Sequence, residues 1–414
     1  MTMTTSSSRR TMLKLGGVGA AILACPSIVR AAADQEILIA NVVALTGANS
    51  GWGQPNWNGF QLACEMINAK GGIKSLGGAK LKPVVGDTET KPQVAGSQAE
   101  RLIQRGVVAV AGTNDSAATM VVTQVCERHQ VPFISSSEVV PEITGRGLKY
   151  TFRTPPLMET MARDMLSYMK ELASASGSPI QSVAILCAST LAGKLAFDGA
   201  QKLAASMGIK VVDASIFDSG TQNFTPYVAK YRAANVDAVI GHQQPNDAIA
   251  IVRTMKQLDY NPKFTGGLLG GHSSREFMET LGADAEGIFG TTSFGASIER
   301  PGLQEATKAY WDRYQKQLDS TGAAGFTEVA LIADALERAG GPDPKLVRDA
   351  ISSSDVKFGD GLYLQLNGAK FDAAGNNTSA GAAVFTISKS KALVVAPQAY
   401  ANVKGTYPKP LWQS

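Results

Sequence analysis

From Glu36 onward, short runs of β-branched and aliphatic residues alternate with segments whose apolar positions recur every three or four residues, the pattern of parallel strands covered by helices. Strands are predicted over 37–45, 81–86, 107–112 and 132–135, with helices over 59–69, 93–105 and 117–128 between them. The run Val107-Val108-Ala109-Val110-Ala111 has no polar member, as a strand buried on both faces requires. The rhythm restarts after Thr154, with strands over 183–187, 211–217, 238–241 and 264–268 and helices over 159–173, 194–207, 224–234 and 247–258. This pattern predicts an α/β fold of two doubly wound parallel-sheet lobes.

Beyond the second set of strands the rhythm breaks. Two long helical segments, 303–318 and 326–339, precede a strand-like piece at 361–366 and a hairpin-like stretch at 383–395. The chain is therefore expected to cross between lobes near Thr154, Thr291 and Phe358, making a three-strand hinge that lets the lobes rotate about a cleft. That assigns 34–154 plus 289–358 to the first lobe and 155–288 plus 359–395 to the second. A Pro-rich tail over 396–414 is expected along the surface.

The first 33 residues read as an address. Arg9, Arg10 and Lys14 lead into an apolar run from Leu15 to Ala24 and then Ala31-Ala32-Ala33, the order of a secretory leader with a small-residue cleavage site. The paired arginines are those of a twin-arginine signal, which places the mature chain in the periplasm. Ile22-Leu23-Ala24-Cys25 is an imperfect match to a lipoprotein box, in which Cys25 would carry a lipid anchor. The leader holds four of the 39 basic residues and none of the 35 acidic ones, so the mature chain is formally neutral. Such a balance offers no electrostatic reason for a nucleic acid or an anionic membrane surface as partner.

Several chemistries lack their residues. There is no G-x-S-x-G elbow, and the Gly-rich stretch at 50–53 lacks the G-x-G-x-x-G order of a dinucleotide loop. The histidines are His129, His242 and His272, and Cys64, Cys126 and Cys187 lie in apolar surroundings without metal-ligand spacing. No cofactor is expected, and an enzyme is the remote alternative.

In doubly wound sheets, ligands gather beyond the carboxyl ends of the strands, where helix N-termini offer free backbone donors. Those loops nominate Trp52, Asn114, Asp115, Ser116, Ser136, Ser137 and Glu138 in the first lobe, and Leu191, His242, Gln243, Leu268 and Gly270 in the second. Trp52, between Gly51 and Gly53, is expected to present a flat apolar wall from a loop. Asp115 also suits a helix cap.

A set of short motifs occurs in order: Leu45-Thr46-Gly47, Asn58-Gly59, Ile67-Asn68-Ala69-Lys70-Gly71-Gly72-Ile73, Gly86-Asp87-Thr88-Glu89 with Pro92, Val131-Pro132-Phe133-Ile134-Ser135, Phe152-Arg153-Thr154, Ala335-Leu336-Glu337-Arg338-Ala339-Gly340 and Tyr407-Pro408. Together they resemble the branched-chain amino acid class of type I periplasmic binding proteins, relatives of the leucine/isoleucine/valine-binding protein. The resemblance implies a monomeric receptor that closes on a small-molecule ligand and delivers it to an ABC permease in the inner membrane; a receptor signalling to a membrane kinase or chemoreceptor is the alternative. It also implies that Ser116 stands where the family holds the ligand's carboxylate. Two departures concern the ligand. Leu268 stands where amino acid binders of the family place a carboxylate for the α-ammonium, and aromatic contacts expected near Ala192 and Gln243 are absent. A buried ammonium without an acidic partner costs several kcal/mol. Either Glu138 or Asp115 substitutes, or the ligand is an amide, a small carboxylate or an aromatic acid.

Overall fold

A computed structural model describes residues 35–412 except Ser219. The expected leader, including Cys25, lies outside the described residues. The chain opens with β1 (Glu36–Val43), α1 (Ser50–Ala69), β2 (Lys80–Asp87), α2 (Pro92–Gln104), β3 (Val110–Thr113), α3 (Ser116–His129), β4 (Phe133–Ser135), α4 (Glu142–Gly145) and β5 (Thr151–Arg153). The strands form an all-parallel sheet in the order β2-β1-β3-β4-β5, with Ile37 paired to Leu81 and Ala40 to Val110. Alternation along β1 sends Ile37 and Ile39 into one core with Phe60 and Phe326, and Ala40 and Val42 into another with Leu102 and Val122. Both faces are thus covered, as a doubly wound sheet demands.

The second unit contains α5 (Met158–Ala175), β6 (Ser182–Ala188), α6 (Leu191–Ser206), β7 (Lys210–Phe217), α7 (Thr225–Ala233), β8 (Ala238–Gly241), α8 (Pro245–Gln257), β9 (Phe264–Gly267), α9 (Arg275–Leu281) and β10 (Phe289–Thr292). Its sheet runs β10-β9-β8-β6-β7 with all pairs parallel. Val183 and Ile185 pack on Met161 and Met165, while Ala184 and Leu186 face Phe224 and Val228. After this sheet come α10 (Pro301–Tyr314), α11 (Ser320–Ala339), α12 (Pro344–Ser352) and the short pair β11 (Asp355–Val356) and β12 (Ala369–Lys370). The hairpin β13 (Ala383–Ser388) and β14 (Lys391–Ala396) then adds two antiparallel strands to the edge beside β10.

Two lobe boundaries differ from expectation. Residues 289–292 form β10, hydrogen-bonded within the second sheet, so they belong to the second lobe. Residues 361–366 make turns rather than a strand, and Leu362, Leu364 and Leu366 are buried in the first lobe's core beside Phe326 and Val329. Short apolar runs of this kind carry no mark of which sheet they serve. The tail is pinned to the second lobe: the Lys409 amide donates to Lys263 O (2.8 Å) and the Tyr407 hydroxyl to Ser178 O (2.6 Å).

The three crossings meet at Gln365. Its amide nitrogen donates to Ser136 O and to Ser293 Oγ (3.3 Å), and its amide oxygen accepts from the Thr154 hydroxyl. The Leu366 amide donates to Ser293 O at 2.9 Å, and Asn377 Nδ2 to Thr154 O at 2.8 Å. Side chains from the interlobe segments are therefore bonded to one another in a region where both cores end.

The first helix begins nine residues earlier than its pattern indicates, at Ser50 rather than Gly59. Gly53, which reads as loop, and Gly59, which reads as the start of the helix, are there for close approach. A Cβ on Gly53 would lie 1.9 Å from Ala44 O, and one on Gly59 would lie 2.0 Å from Gly322 O on α11. Packing at this distance, with no side chain between the backbones, seats α1 against the chain just beyond β1 and α11 against α1. Trp52 is accordingly in the first turn of a helix, not in a loop. Cys64, Cys126 and Cys187 are buried free thiols whose pKa values burial pushes up.

Candidate ligand-binding site

A cavity of about 300 Å³ lies between the lobes, where the carboxyl ends of the two sheets face each other. Trp52, Asn114, Asp115, Ser116, Ser136, Ser137 and Glu138 line it from the first lobe, and Leu191, His242 and Gly270 from the second. Gln243 and Leu268 are not in its wall. Gln243 turns its amide nitrogen back to Leu186 O, and Leu268 is fully buried in the second lobe's core. Their neighbours Gln244 and Leu269 face the cavity instead. The sequence pattern also gave no notice of Lys194 on α6, or of Ser273, Ser293, Ser320 and Thr321. Of these, Ser320 and Thr321 carried a usable signal, since Asp319 before them is a typical helix cap, and it accepts from the Thr321 and Gly322 amides at 3.1 and 2.8 Å.

On the first-lobe side the cavity is built around the start of α3. Asp115 caps that helix, accepting from the Ala118 amide at 2.8 Å and from Asn49 Nδ2 at 2.8 Å, so its carboxylate is occupied. The Ser116 hydroxyl donates to Glu138 Oε2. Glu138 is buried, and burial pushes its pKa up to about 7; the hydrogen bond from Ser116 opposes the rise, and the charge of Asp115 adds to it. Asn114 sits at φ 67°, a left-handed conformation that asparagine tolerates better than most residues, and its amide nitrogen reaches Trp52 O at 3.4 Å. Asn114 Oδ1 and Ser136 Oγ are buried in this wall without a hydrogen-bond partner. Unpaired polar atoms of this kind cost free energy unless something fills the site and satisfies them.

The second-lobe side is uncharged except at Lys194. His242 is buried, which lowers its pKa, and its Nδ1 lies 2.9 Å from Leu268 O. A neutral imidazole must carry its proton on Nδ1 to make that bond, leaving Nε2 as an acceptor. Thr190 caps α6 through the Gly193 amide at 3.0 Å. The first turns of α1, α3, α6 and α11 thus all contribute to the cavity wall. Helix N-termini carry partial positive charge and spare amide donors, which favours an anion. Contacts that cross the cleft include Gln244 Nε2 donating to Asn49 Oδ1 at 2.8 Å, the Arg275 amide donating to Asp319 Oδ2 at 3.4 Å, and the Ser320 and Ser273 hydroxyls 3.4 Å apart. Among the described residues, no group of three or more His, Cys, Asp or Glu side chains is placed to hold a metal ion.

The family model described as periplasmic binding protein matches residues 36–392. Among curated proteins, Leu/Ile/Val-binding protein homolog 8 of Brucella abortus (strain 2308) is 28% identical over 402 residues, covering 95% of this chain and 98% of that protein. Homolog 7 of Brucella suis is 25% identical, covering 90% of this chain and 94% of that protein. Among solved structures, the branched-chain amino acid substrate-binding protein LivJ of Streptococcus pneumoniae, in complex with isoleucine, superposes with a TM-score of 0.76 at 23% identity, over 88% of this chain and all of that one (100%). A solute-binding protein of R. palustris in complex with benzoate gives a TM-score of 0.74 at 17% identity, over 90% of this chain and 99% of that one. At these identities the solved structures speak to fold.

Proposed function

This chain belongs to the periplasmic binding protein family, and from that premise we propose that it is the exported solute receptor of an ABC importer whose ligand is a small carboxylate without an α-ammonium group. The observation that carries this reading is the distribution of charge in the cleft. Among the described residues, the acids lining it are Asp115 and Glu138, both on one lobe. Asp115 is engaged by α3 and Asn49, and Glu138 is bonded to Ser116 with its pKa near neutrality. An ammonium would find no free carboxylate and would lose its hydration without compensation. A carboxylate would find helix N-termini, hydroxyl groups and Lys194. The same fold holds isoleucine in one solved relative and benzoate in another, so the ligand class follows from the side chains of the cleft rather than from the architecture.

In this reading the carboxylate lies against Ser116 and the start of α3, its apolar body against Trp52 and Leu191, and the lobes shut over it about the Gln365 junction. Binding to the folded state raises apparent stability by mass action. A thermal-shift screen of the mature protein is therefore expected to give upward shifts with aliphatic or aromatic monocarboxylates and none with leucine, isoleucine, valine or neutral amides. A shift with the amino acids alone would remove the proposal.

Delivery to the periplasm rests on the Arg9-Arg10 leader and Ala31-Ala32-Ala33. The intact mass of the exported protein is expected to correspond to a chain starting at Asp34; a lipid-modified N-terminus at Cys25 would contradict that cleavage.

A further inference from the structure

A second cavity, of about 730 Å³, lies beside the ligand cleft, with Ser273 and Ser320 in the walls of both. Its size falls within the range of small-molecule pockets, about 300–1,000 Å³. The first lobe contributes Phe294, Trp311 and Leu318, and the second contributes Arg275, Leu393 and Val394. Trp311 is 49% exposed at its rim, a large apolar side chain left in water beside an apolar wall. The basic side chains lining the cavity are Arg275, Lys308 and Lys391, against the single acid Asp319. Lys308 is paired with Asp312 at the surface, and Lys391 has no ion pair among the described residues. Arg275 is mostly buried. It forms an ion pair with the exposed Glu279, Oε1 lying 3.4 Å from Nε, and neither Nε nor Nη1 has a hydrogen-bond partner. Thr307, also in the wall, has a buried hydroxyl without a partner. A guanidinium held in an apolar surround with unspent donors recognises carboxylate or sulfonate oxygens best.

We infer that this cavity is a second binding site, distinct from the cleft, for an amphipathic organic anion whose head group engages Arg275 and whose apolar body lies against Trp311, Phe294 and Leu318. The inference does not depend on which solute the cleft takes.

Calorimetric titration with decanoate, and with decyltrimethylammonium as the probe of opposite charge, tests it. With the cleft first saturated by 4-methylpentanoate, the mature wild-type protein is expected to bind one decanoate, and to bind the cation at least about tenfold more weakly, as expected for a charge-assisted head-group contact. Trp311→Ala removes an exposed side chain and should leave the fold intact while weakening decanoate by about tenfold, the scale of losing one large apolar contact. Arg275→Gln is expected to weaken decanoate similarly. Glu138→Gln, which alters the cleft, is expected to leave decanoate affinity unchanged. No binding of decanoate, equal affinity for both probes, unchanged affinity in Trp311→Ala, or loss of decanoate binding in Glu138→Gln would each overturn the assignment.

Discussion

Affinity for the cleft ligand is expected to fall as pH is raised above 7, by up to about tenfold per pH unit, and Glu138→Gln is expected to abolish the fall. Burial holds Glu138 at a pKa of about 7. Below that pH it is protonated, and its hydroxyl can donate to a bound carboxylate. Above it, the side chain is ionised in the free protein, and an incoming anion must either meet a second negative charge or draw a proton into the site. Binding is then coupled to proton uptake, which is why affinity declines with rising pH. The glutamine variant keeps a donor at every pH, so its affinity should be flat from about pH 6 to about pH 9. A ligand carrying an ammonium group would reverse the sign, gaining affinity as Glu138 ionises and levelling off once ionisation is complete. Titrations at several pH values therefore report both on Glu138 and on the charge of the ligand.

The second large effect concerns stability. Glu328, fully buried on α11, accepts from Asn41 Nδ2 (3.2 Å) and Asn56 Nδ2 (3.5 Å), and the Ser136 amide adds a further hydrogen bond. These bonds lower its pKa, but burial outweighs them and pushes it from 4.5 up to about 8. A carboxyl raised in this way is protonated in the folded state over a pH range where the unfolded chain has lost its proton. Its contribution is thus complete below pH 4.5 and is lost as pH rises to about 8. At about 1.4 kcal/mol for each pH unit between the two values, the loss is on the order of 5 kcal/mol. Glu328→Gln should remove this slope while keeping a side chain that bonds the two asparagines. His272, whose pKa burial lowers from 6.5 to about 3, acts in the opposite sense at low pH. The readout is therefore the difference between wild type and variant in urea denaturation at a series of pH values from about 5 to about 8. The variant is expected to gain steadily over wild type across that series; a constant difference would show that Glu328 titrates normally.

Much of this architecture is legible in the sequence because its signals are local. The unbroken apolar run from Val107 to Ala111 feeds β3, and the restart after Thr154 marks the second sheet, since buried strands and amphipathic helices impose their periods on the residues themselves. The cleft loops follow from strand polarity, which is why Ser116, Glu138 and His242 can be picked out from the sequence. The expectations that fail share a physical origin in contacts distant along the chain. Gly53 reads as loop and Gly59 as a helix start because the backbones of Ala44 and Gly322 that require them are elsewhere in sequence. Gln243 and Leu268 stand in for Gln244 and Leu269 because alternation ceases once a strand ends, at Gly241 and Gly267 here. Beyond those points a side chain's direction is set by the nearest unpaired carbonyl, which for Gln243 is that of Leu186. Ser293 reaches the cleft only through the second crossing, and no local pattern announces that.

The most direct measurement compares L-leucine with 4-methylpentanoate, its counterpart lacking the amino group, by calorimetric titration of the mature protein slightly below neutral pH. The two differ by the one group for which the cleft offers no free carboxylate. Binding of 4-methylpentanoate is predicted to be tighter, by at least about tenfold, because leucine must bury its ammonium uncompensated. Tighter binding of leucine would contradict a cleft built for a carboxylate alone.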